Sequence, residues 1–262
     1  MNENFKYIAA GVAVVGLTIG GIVYFSQTRK AAPPVETAVV APPPALPAEP
    51  PIKHPVPAGD GNDALPSLDD SSAPIQNALA DLVGAESVER FIVSDDLVRH
   101  IVVTIDNLTE QKVAERIRPT KPVPGTFMAG GSEDAPVLDP ANYERYKPMV
   151  QLFRSTDTQR LVATYVRYYP LFQQSYENLG HPPQYFNDRV VEVIDRLLST
   201  PDVPGPIALA QPNVQYEFAD PKLESLAAGQ KMLIRMGSDN AKSVKEKLRE
   251  LRSALVAQQP AN

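Results

Sequence analysis

The sequence predicts a mainly α, helical-bundle-like soluble domain with one small β-hairpin, preceded by a transmembrane helix and a disordered proline-rich linker. Three observations lead to this prediction. An uncharged apolar stretch lies near the N-terminus, prolines crowd the segment after it, and apolar residues then recur at helical spacing. We therefore divide the chain into an N-terminal tail at 1–6, a membrane helix at 7–25, a tether at 26–70 and a helical domain at 71–258.

The predicted membrane helix runs from Tyr7 to Phe25 and contains nineteen residues without a charge. At ~1.5 Å per residue such a helix is about 28 Å long, close to the ~30 Å hydrocarbon thickness of a bilayer. Lys6 precedes the stretch, and Arg29 and Lys30 follow it. A cleaved signal peptide is the alternative, but cleavage requires small residues at alternate positions, which the following stretch does not offer. We expect a retained single-pass anchor.

Within this stretch Gly16 and Gly20 form a G-x-x-x-G spacing. Small residues at this spacing let two helices approach closely in lipid, which favours a homodimer through the membrane helix. The alternative is that glycine is simply common in such spans. The positive charges on the two sides of the stretch nearly balance, so charge does not decide the orientation. A short internal tail with an exported remainder is the simplest arrangement.

The predicted tether is defined by its composition. Residues 31–70 hold eleven of the 27 prolines and no aromatic residue, so they bury too little apolar surface to fold. As extended polyproline II at ~3.1 Å per residue, forty residues reach at most roughly 120 Å. Short stretches such as PPALP are alternatively read as ligands for aromatic-lined grooves, but a semi-rigid spacer is favoured. His54 lies alone in this segment and is not expected to bind metal.

The rest of the chain shows the 3.6-residue period of amphipathic helices, with one change of period. Between Ile207 and Phe218 the apolar residues alternate around Pro212 and Asn213, which predicts the β-hairpin. Asp220 is expected to cap the helix that follows, because its side chain offers an acceptor before Pro221. Further helix starts are predicted at Ser72, Ser94–Asp96, Asp139, Thr156, Pro182–Pro183 and Ser238–Asp239.

Composition excludes several functional classes. The net charge of −6 argues against nucleic-acid binding, which needs a basic face. The absence of cysteine excludes disulfides and thiolate ligands. The domain's two histidines, His100 and His181, stand in no zinc-binding spacing, so no metal site is predicted. No phosphate loop or serine elbow is present, and we expect no cofactor and no catalytic residue that the sequence marks.

The aromatic residues give the strongest indication of a binding surface. Ten of the eighteen lie between Tyr143 and Phe186, interleaved with arginine and amide side chains that suit protein interfaces. The alternative is that their helical spacing fills the core. We select Tyr168, Tyr185 and Arg167 as binding candidates.

The C-terminal helices carry a basic strip in an acidic protein. Lys231 and Arg235 stand one turn apart and are candidates for contact with an anionic lipid or an acidic partner. The alternative is a solvated helix face whose cations suit the helix C-terminus. The last helix adds Lys242, Lys245, Lys247, Arg249 and Arg252 to this strip.

Two long stretches, Leu161–Gly180 and Tyr216–Arg252, resemble a bacterial family of domains of unknown function, number three-zero-one-four. The resemblance extends over Ile75–Leu255, and members of the family share the order of membrane helix, Pro/Ala-rich stretch and domain. It implies a Gram-negative inner-membrane protein with its domain in the periplasm. It implies no activity, substrate or catalytic residues.

The sequence thus favours a non-enzymatic binding or structural module, displayed in the periplasm, that engages an envelope protein or the cell wall. The alternative is an envelope enzyme that acts on peptidoglycan or another glycan through an Asp/Glu pair that the sequence does not mark. An energy transducer of the TonB type is disfavoured. Such proteins couple through polar residues in the membrane helix, where Thr18 is the only polar interior side chain.

Overall fold

The computed structural model of the chain describes residues 51–57 and 64–258. The predicted membrane helix at 7–25, with its Gly16 and Gly20 pairing motif, lies outside the described residues, as does the tether from 26 to 50. Among the helices that are described, none combines the length and the apolar character needed to cross a bilayer.

The described residues form a mainly helical domain, which confirms the predicted class. The helices and strands follow one another as α1 (Ser72–Val83), α2 (Ala85–Phe91), α3 (Leu97–Asn107), β1 (Ala129–Ser132), β2 (Ala135–Leu138), α4 (Ala141–Ser155), α5 (Thr158–Asn178), α6 (Phe186–Leu198), β3 (Leu209–Ala210), β4 (Glu217–Phe218), α7 (Pro221–Glu224), α8 (Ala228–Arg235) and α9 (Ser238–Val256), with a 3₁₀ turn at Glu115–Ile117.

Side-chain caps fix two of the helix starts. The Asp157 carboxylate accepts a hydrogen bond from Arg160 N at 2.7 Å and begins α5. Asp220 accepts from Lys222 N at 2.8 Å at the start of α7, as the sequence predicts. Each carboxylate satisfies an amide that has no partner within its own helix.

The predicted hairpin between Ile207 and Phe218 is confirmed, with Leu209 paired to Phe218 across β3 and β4. A second antiparallel hairpin, beyond the one predicted, joins β1 and β2. Its strands contain Gly130, Gly131 and Pro136, which hide the apolar alternation of a strand. The Leu138 amide donates to Ile207 O at 2.8 Å and links the two hairpins.

The largest core cluster lies where α1, α3, α5 and α6 meet, and it fixes the start of α6. Leu97, Val102 and Phe186 have no exposed surface. The Phe186 ring lies 6.0 Å from the Phe172 ring and 5.5 Å from the Tyr176 ring. Since burying a Phe or Leu side chain contributes about 1.5–3 kcal/mol, this cluster holds the first turn of α6 rigidly.

The ordered domain begins ahead of the predicted boundary at residue 71. Leu68 is 8% exposed and belongs to the same cluster as Phe186, and Leu65 packs against that cluster. At the other end of the domain α9 packs against α4, α5 and α6. There Leu248 and Leu255 share a second cluster with Val162.

Candidate binding groove on helix α6

The first turn of α6 holds a distant piece of the chain. The Asp188 carboxylate accepts hydrogen bonds from Lys53 N at 3.1 Å and from His54 N at 2.7 Å. The neighbouring Asn187 Nδ2 donates to His54 O at 2.8 Å. We call residues 51–57 the strap. They fall within the predicted tether, and the expectation that the whole tether stays unfolded is wrong for this part.

Two side chains of α5 position the start of α6, where Asn187 and Asp188 lie. Gln173 Oε1 accepts from Phe186 N at 2.8 Å and so satisfies an amide at the start of α6. The Tyr165 hydroxyl donates to Asn187 Oδ1 at 3.2 Å. This bond turns the Asn187 amide so that its nitrogen faces the strap. Asn187 has no exposed surface, so its orientation is fixed by these contacts.

The tyrosine hydroxyls behind the groove remain protonated at neutral pH. Burial raises the pKa of Tyr165 well above its ordinary value of 10.0, and the nearby Tyr169 and Asp188 raise it further. Burial likewise raises the pKa of Tyr169 to about 12. Because a protonated phenol can donate, Tyr165 keeps its bond to Asn187 over the physiological pH range.

An open cavity of about 370 Å³ lies beside the strap. It is lined by Pro51, Lys53, Tyr176, Gln184, Tyr185, Asp188, Arg189 and Glu192. A second cavity of about 580 Å³ shares Arg189 and Glu192 with the first and continues along α6. Together with the strap's seat on Asn187 and Asp188, these two cavities form what we call the α6 groove. Its lining combines the aromatic rings of Tyr176 and Tyr185 with polar and charged side chains.

A charged cluster forms the base of the groove. Arg189 Nε donates to Asp106 at 2.8 Å, and its guanidinium lies 3.0 Å from the Glu192 carboxylate. His181 Nε2 lies 3.3 Å from Asp106, and its ring stacks on Tyr176 at 4.6 Å. Burial lowers the pKa of Arg189, but its bonds to Glu192 and Asp106 outweigh burial and raise it. The cluster ties α3 to α6 with the cation permanently charged.

The carboxylates in and behind the groove are engaged by fixed donors. Each of its three central carboxylates already accepts from a fixed donor: Asp106 and Glu192 from Arg189, and Asp188 from the strap. In residues 51–57 and 64–258, no group of three or more His, Asp or Glu side chains has a metal-binding arrangement.

The structure places the predicted aromatic candidates in different environments. Tyr185 precedes α6 and lines the groove. Tyr168 is 6% exposed, with its hydroxyl 3.4 Å from Pro74 O, so the expectation that it lies on the surface is wrong. Its ring packs into the large core cluster because α5 is covered by α1 and α3 on that side. Arg167 lies exposed on α5 with its guanidinium 5.5 Å from the Tyr168 ring.

The predicted basic candidates are engaged within the domain. Lys231 Nζ lies 2.6 Å from Glu224, and its side chain is 12% exposed. Arg235 donates to Tyr216 O at 3.2 Å and lies 5.1 Å from the Phe218 ring. These contacts stabilise the hairpin of β3 and β4 against α8, well apart in sequence from the α6 groove.

Sequence reasoning missed the residues that hold the strap. Asn187 and Asp188 stand at a predicted helix start, where polar residues are ordinary caps, and so they gave no distinct signal. Gln173 was noted only as one of the amides among the aromatic residues. The available signal was the coincidence of two adjacent polar residues with the densest aromatic stretch of the chain.

The fold and the groove define a helical domain that binds an extended piece of chain on the first turn of one helix. The sequence model of a family described as Protein of unknown function (DUF3014) matches residues 97–252, more than half of the chain, and the protein belongs to this family. The resemblance inferred from Leu161–Gly180 and Tyr216–Arg252 is thereby confirmed. Comparison with curated proteins gives no match, and comparison with solved structures gives none.

Proposed function

We propose that the protein is a single-pass, membrane-anchored envelope protein whose helical domain is a non-enzymatic binding module that engages a protein partner. The observation that carries this proposal is the α6 groove, where Asn187 and Asp188 hold an extended segment by its backbone. A surface that binds one extended segment in this way has the chemistry to bind another.

The placement of the module follows from the N-terminal sequence. The uncharged stretch from Tyr7 to Phe25 supplies the anchor, and the proline-rich residues after it supply the spacer. A spacer of this kind is useful when the target lies away from the bilayer. We therefore propose the inner membrane of a Gram-negative cell, with the domain in the periplasm.

The anchor is also proposed to pair with a second copy. Gly16 and Gly20 support this, because their spacing permits close helix contact. Gly16→Ile is expected to reduce crosslinked dimer in membranes, whereas the same change at Gly11, outside the spacing, is expected to leave it. Equal dimer in both variants would remove this part of the proposal.

The partner is best sought by photocrosslinking in intact cells. A photoreactive residue replacing Tyr185, which lines the groove, is expected to give a discrete adduct larger than the dimer. The same residue replacing Val214, which is 90% exposed on the β3–β4 hairpin, serves as the control. Identical adducts at both positions, or none at Tyr185, would contradict a partner at the groove.

The side of the membrane is tested by thiol labelling, because the chain contains no cysteine. Val214→Cys places a single exposed thiol on the domain. A small membrane-impermeant maleimide is expected to label it in intact cells. Labelling that requires lysis of the inner membrane would place the domain in the cytoplasm instead.

The glycan-cleaving alternative stays a prediction with its own test. Purified protein is incubated with isolated cell wall, and soluble fragments are measured. Release of fragments that is lost in Asp188→Asn or Glu192→Gln would favour an enzyme over a binding module. The engagement of both carboxylates by the strap and by Arg189 makes binding the better-supported function.

A further inference from the structure

The strap is fixed to α6 by hydrogen bonds of its backbone, and its residues 54–57 are also half-buried. The hydrogen bonds that fix it to α6 use Lys53 N, His54 N and His54 O. The side chains of Pro51, Ile52 and Lys53 are exposed, with Ile52 at 45%. We call Asn187 and Asp188 the seat. These two side chains recognise an extended backbone with two successive amide N–H donors, which a segment of another chain can equally provide.

The strap also shows which side chains the seat accepts. Proline, which has no amide hydrogen, brackets the two donating residues at Pro51 and Pro55. Of the two donors, Lys53 carries the cationic side chain and lines the same cavity as Asp188 and Glu192, whereas His54 is half-buried. The seat therefore suits an extended segment in which prolines flank two amide donors, one of them a lysine, because prolines pre-set the extended conformation at low entropic cost.

The seat lies within the residues that match the family, and the strap lies outside them. Asn187, Asp188, Tyr165 and Gln173 all lie within residues 97–252, which match the family. The strap at 51–57 lies outside that match. The matched residues thus supply every side chain of the seat, although the folded domain extends beyond the match, because Leu68 and Ile75 also belong to its core.

We propose that the α6 groove is a binding site for an extended, proline-flanked basic segment of a partner protein, and that the strap occupies this site in cis until the partner's segment displaces it. The proposal rests on the proposed function, since it names the chemistry of the partner for the same groove. It adds a competition between two segments for Asn187 and Asp188.

Competition from the strap determines the peptide concentration that the test requires. A segment linked to its site by a short connection has an effective concentration in the roughly millimolar range. A free peptide is therefore expected to bind the unchanged protein poorly below about 1 mM. Weakening the strap removes this competition and reveals the intrinsic affinity of the seat.

The test uses the full chain purified in detergent and a fluorescent peptide with the sequence of residues 51–57. His54→Pro removes one of the two amide donors of the strap and is expected to tighten peptide binding at least about tenfold, because a bond to a charged acceptor is lost in cis. Ile52→Pro is the matched control, because it introduces the same residue in the strap but leaves both donors. It is expected to bind the peptide as the unchanged protein does.

Two further measurements show where the peptide binds. Asp188→Ala added to His54→Pro is expected to abolish the gain, and a peptide with proline at the His54 position is expected not to bind. Circular dichroism confirms that each variant is folded. Equal peptide affinity in the unchanged protein and His54→Pro, or a gain that survives Asp188→Ala, would overturn the proposal.

A second measurement avoids any change at the seat or at His54. Ile52→Cys provides a single thiol for a spin label, since the chain has no cysteine. Millimolar peptide is expected to displace the strap and raise the mobility of the label, whereas the proline-containing peptide leaves it unchanged. An immobile label at saturating peptide would show that the strap is a fixed part of the domain.

Failure of the proposed proline-flanked ligand can be distinguished from failure of the proposed function. A photocrosslink from Tyr185 in cells without peptide binding would keep the partner and remove the proline-flanked ligand. Peptide binding without any cellular crosslink would keep the seat's chemistry and remove the partner at the groove.

Discussion

The α6 groove and the basic helices at the C-terminus use their polar side chains in opposite ways. In the groove, Asn187 and Asp188 are directed at the strap, more than 130 residues away in sequence. In the C-terminal helices, two lysines of α9 are directed at carbonyl groups of the domain. Lys245 Nζ donates to Thr200 O and Lys247 Nζ to Thr156 O, both at 2.5 Å.

The two arrangements differ in whether their polar side chains remain available to bind other groups. A cation that satisfies a buried carbonyl removes the cost of leaving that carbonyl unpaired, and it is then not available to a partner. Lys245 and Lys247 therefore stabilise the contacts of α9 with its neighbours. The groove, by contrast, holds a segment whose own side chains stay largely outside the core.

The largest effect that tests this comparison is expected at Lys247, which is 4% exposed. Its ammonium donates to Thr156 O, to the Thr158 hydroxyl at 2.7 Å and to Glu250 at 3.1 Å. Lys247→Ala removes the donor to Thr156 O and two further bonds of the ammonium, and it is expected to lower the free energy of unfolding by about 3 kcal/mol. Urea denaturation followed by circular dichroism measures it.

Lys242→Ala is the matched control, because Lys242 is exposed on the same helix. It is expected to change the free energy of unfolding by less than about 0.5 kcal/mol. Comparable losses in the two variants would show that the strip acts through its overall charge and not through the buried bonds of Lys247.

A smaller effect is expected at Tyr165, behind the groove. Tyr165→Phe removes the donor to Asn187 Oδ1 and leaves a buried amide oxygen unpaired. We expect a loss of about 1–2 kcal/mol in the free energy of unfolding and weaker binding of the strap, seen as a more mobile label at residue 52. Tyr185→Phe, at the groove's open edge, is expected to leave both measurements unchanged. A rigid label in Tyr165→Phe would indicate that Asn187 is oriented by other contacts.

Local signals in the sequence were sufficient for much of the fold. The alternation around Pro212 and Asn213 predicted the β3–β4 hairpin, and Asp220 caps α7 as its position indicates. Ser72 shows where local reasoning ends. It was expected to cap α1, but it lies inside that helix, and its hydroxyl accepts from Leu97 N at 3.2 Å. A side chain caps the free amide that lies nearest to it in space. For Ser72 that amide is Leu97 N, at the start of α3.

The candidate site depended almost wholly on contacts that are distant in sequence. Tyr185 was selected from its aromatic neighbourhood and does line the groove, but Tyr168 was selected on the same grounds and is buried. Composition cannot tell these two apart, because the difference is set by the packing of α1 and α3 on α5. Asp188 was missed because its partners lie in a segment whose prolines predicted no fold at all.

The smallest effect is expected at Glu224, the partner of the predicted binding residue Lys231. Burial raises the pKa of Glu224, but bonds from Lys231 and from Phe218 N outweigh burial and hold it below its ordinary value of 4.5. The unfolded chain therefore binds a proton more readily than the folded one, so the stability that this pair contributes is present above pH 4.5 and is lost as pH falls through the folded pKa.

We expect Glu224→Gln to be less stable than the unchanged protein by up to about 1 kcal/mol at pH 7, with the difference shrinking toward pH 3. Glu144→Gln, which alters an exposed pair with Lys147, is expected to show no such convergence. Parallel stability curves for Glu224→Gln and the unchanged protein would mean that Lys231 is not committed to Glu224, and its role as a surface cation would have to be reconsidered.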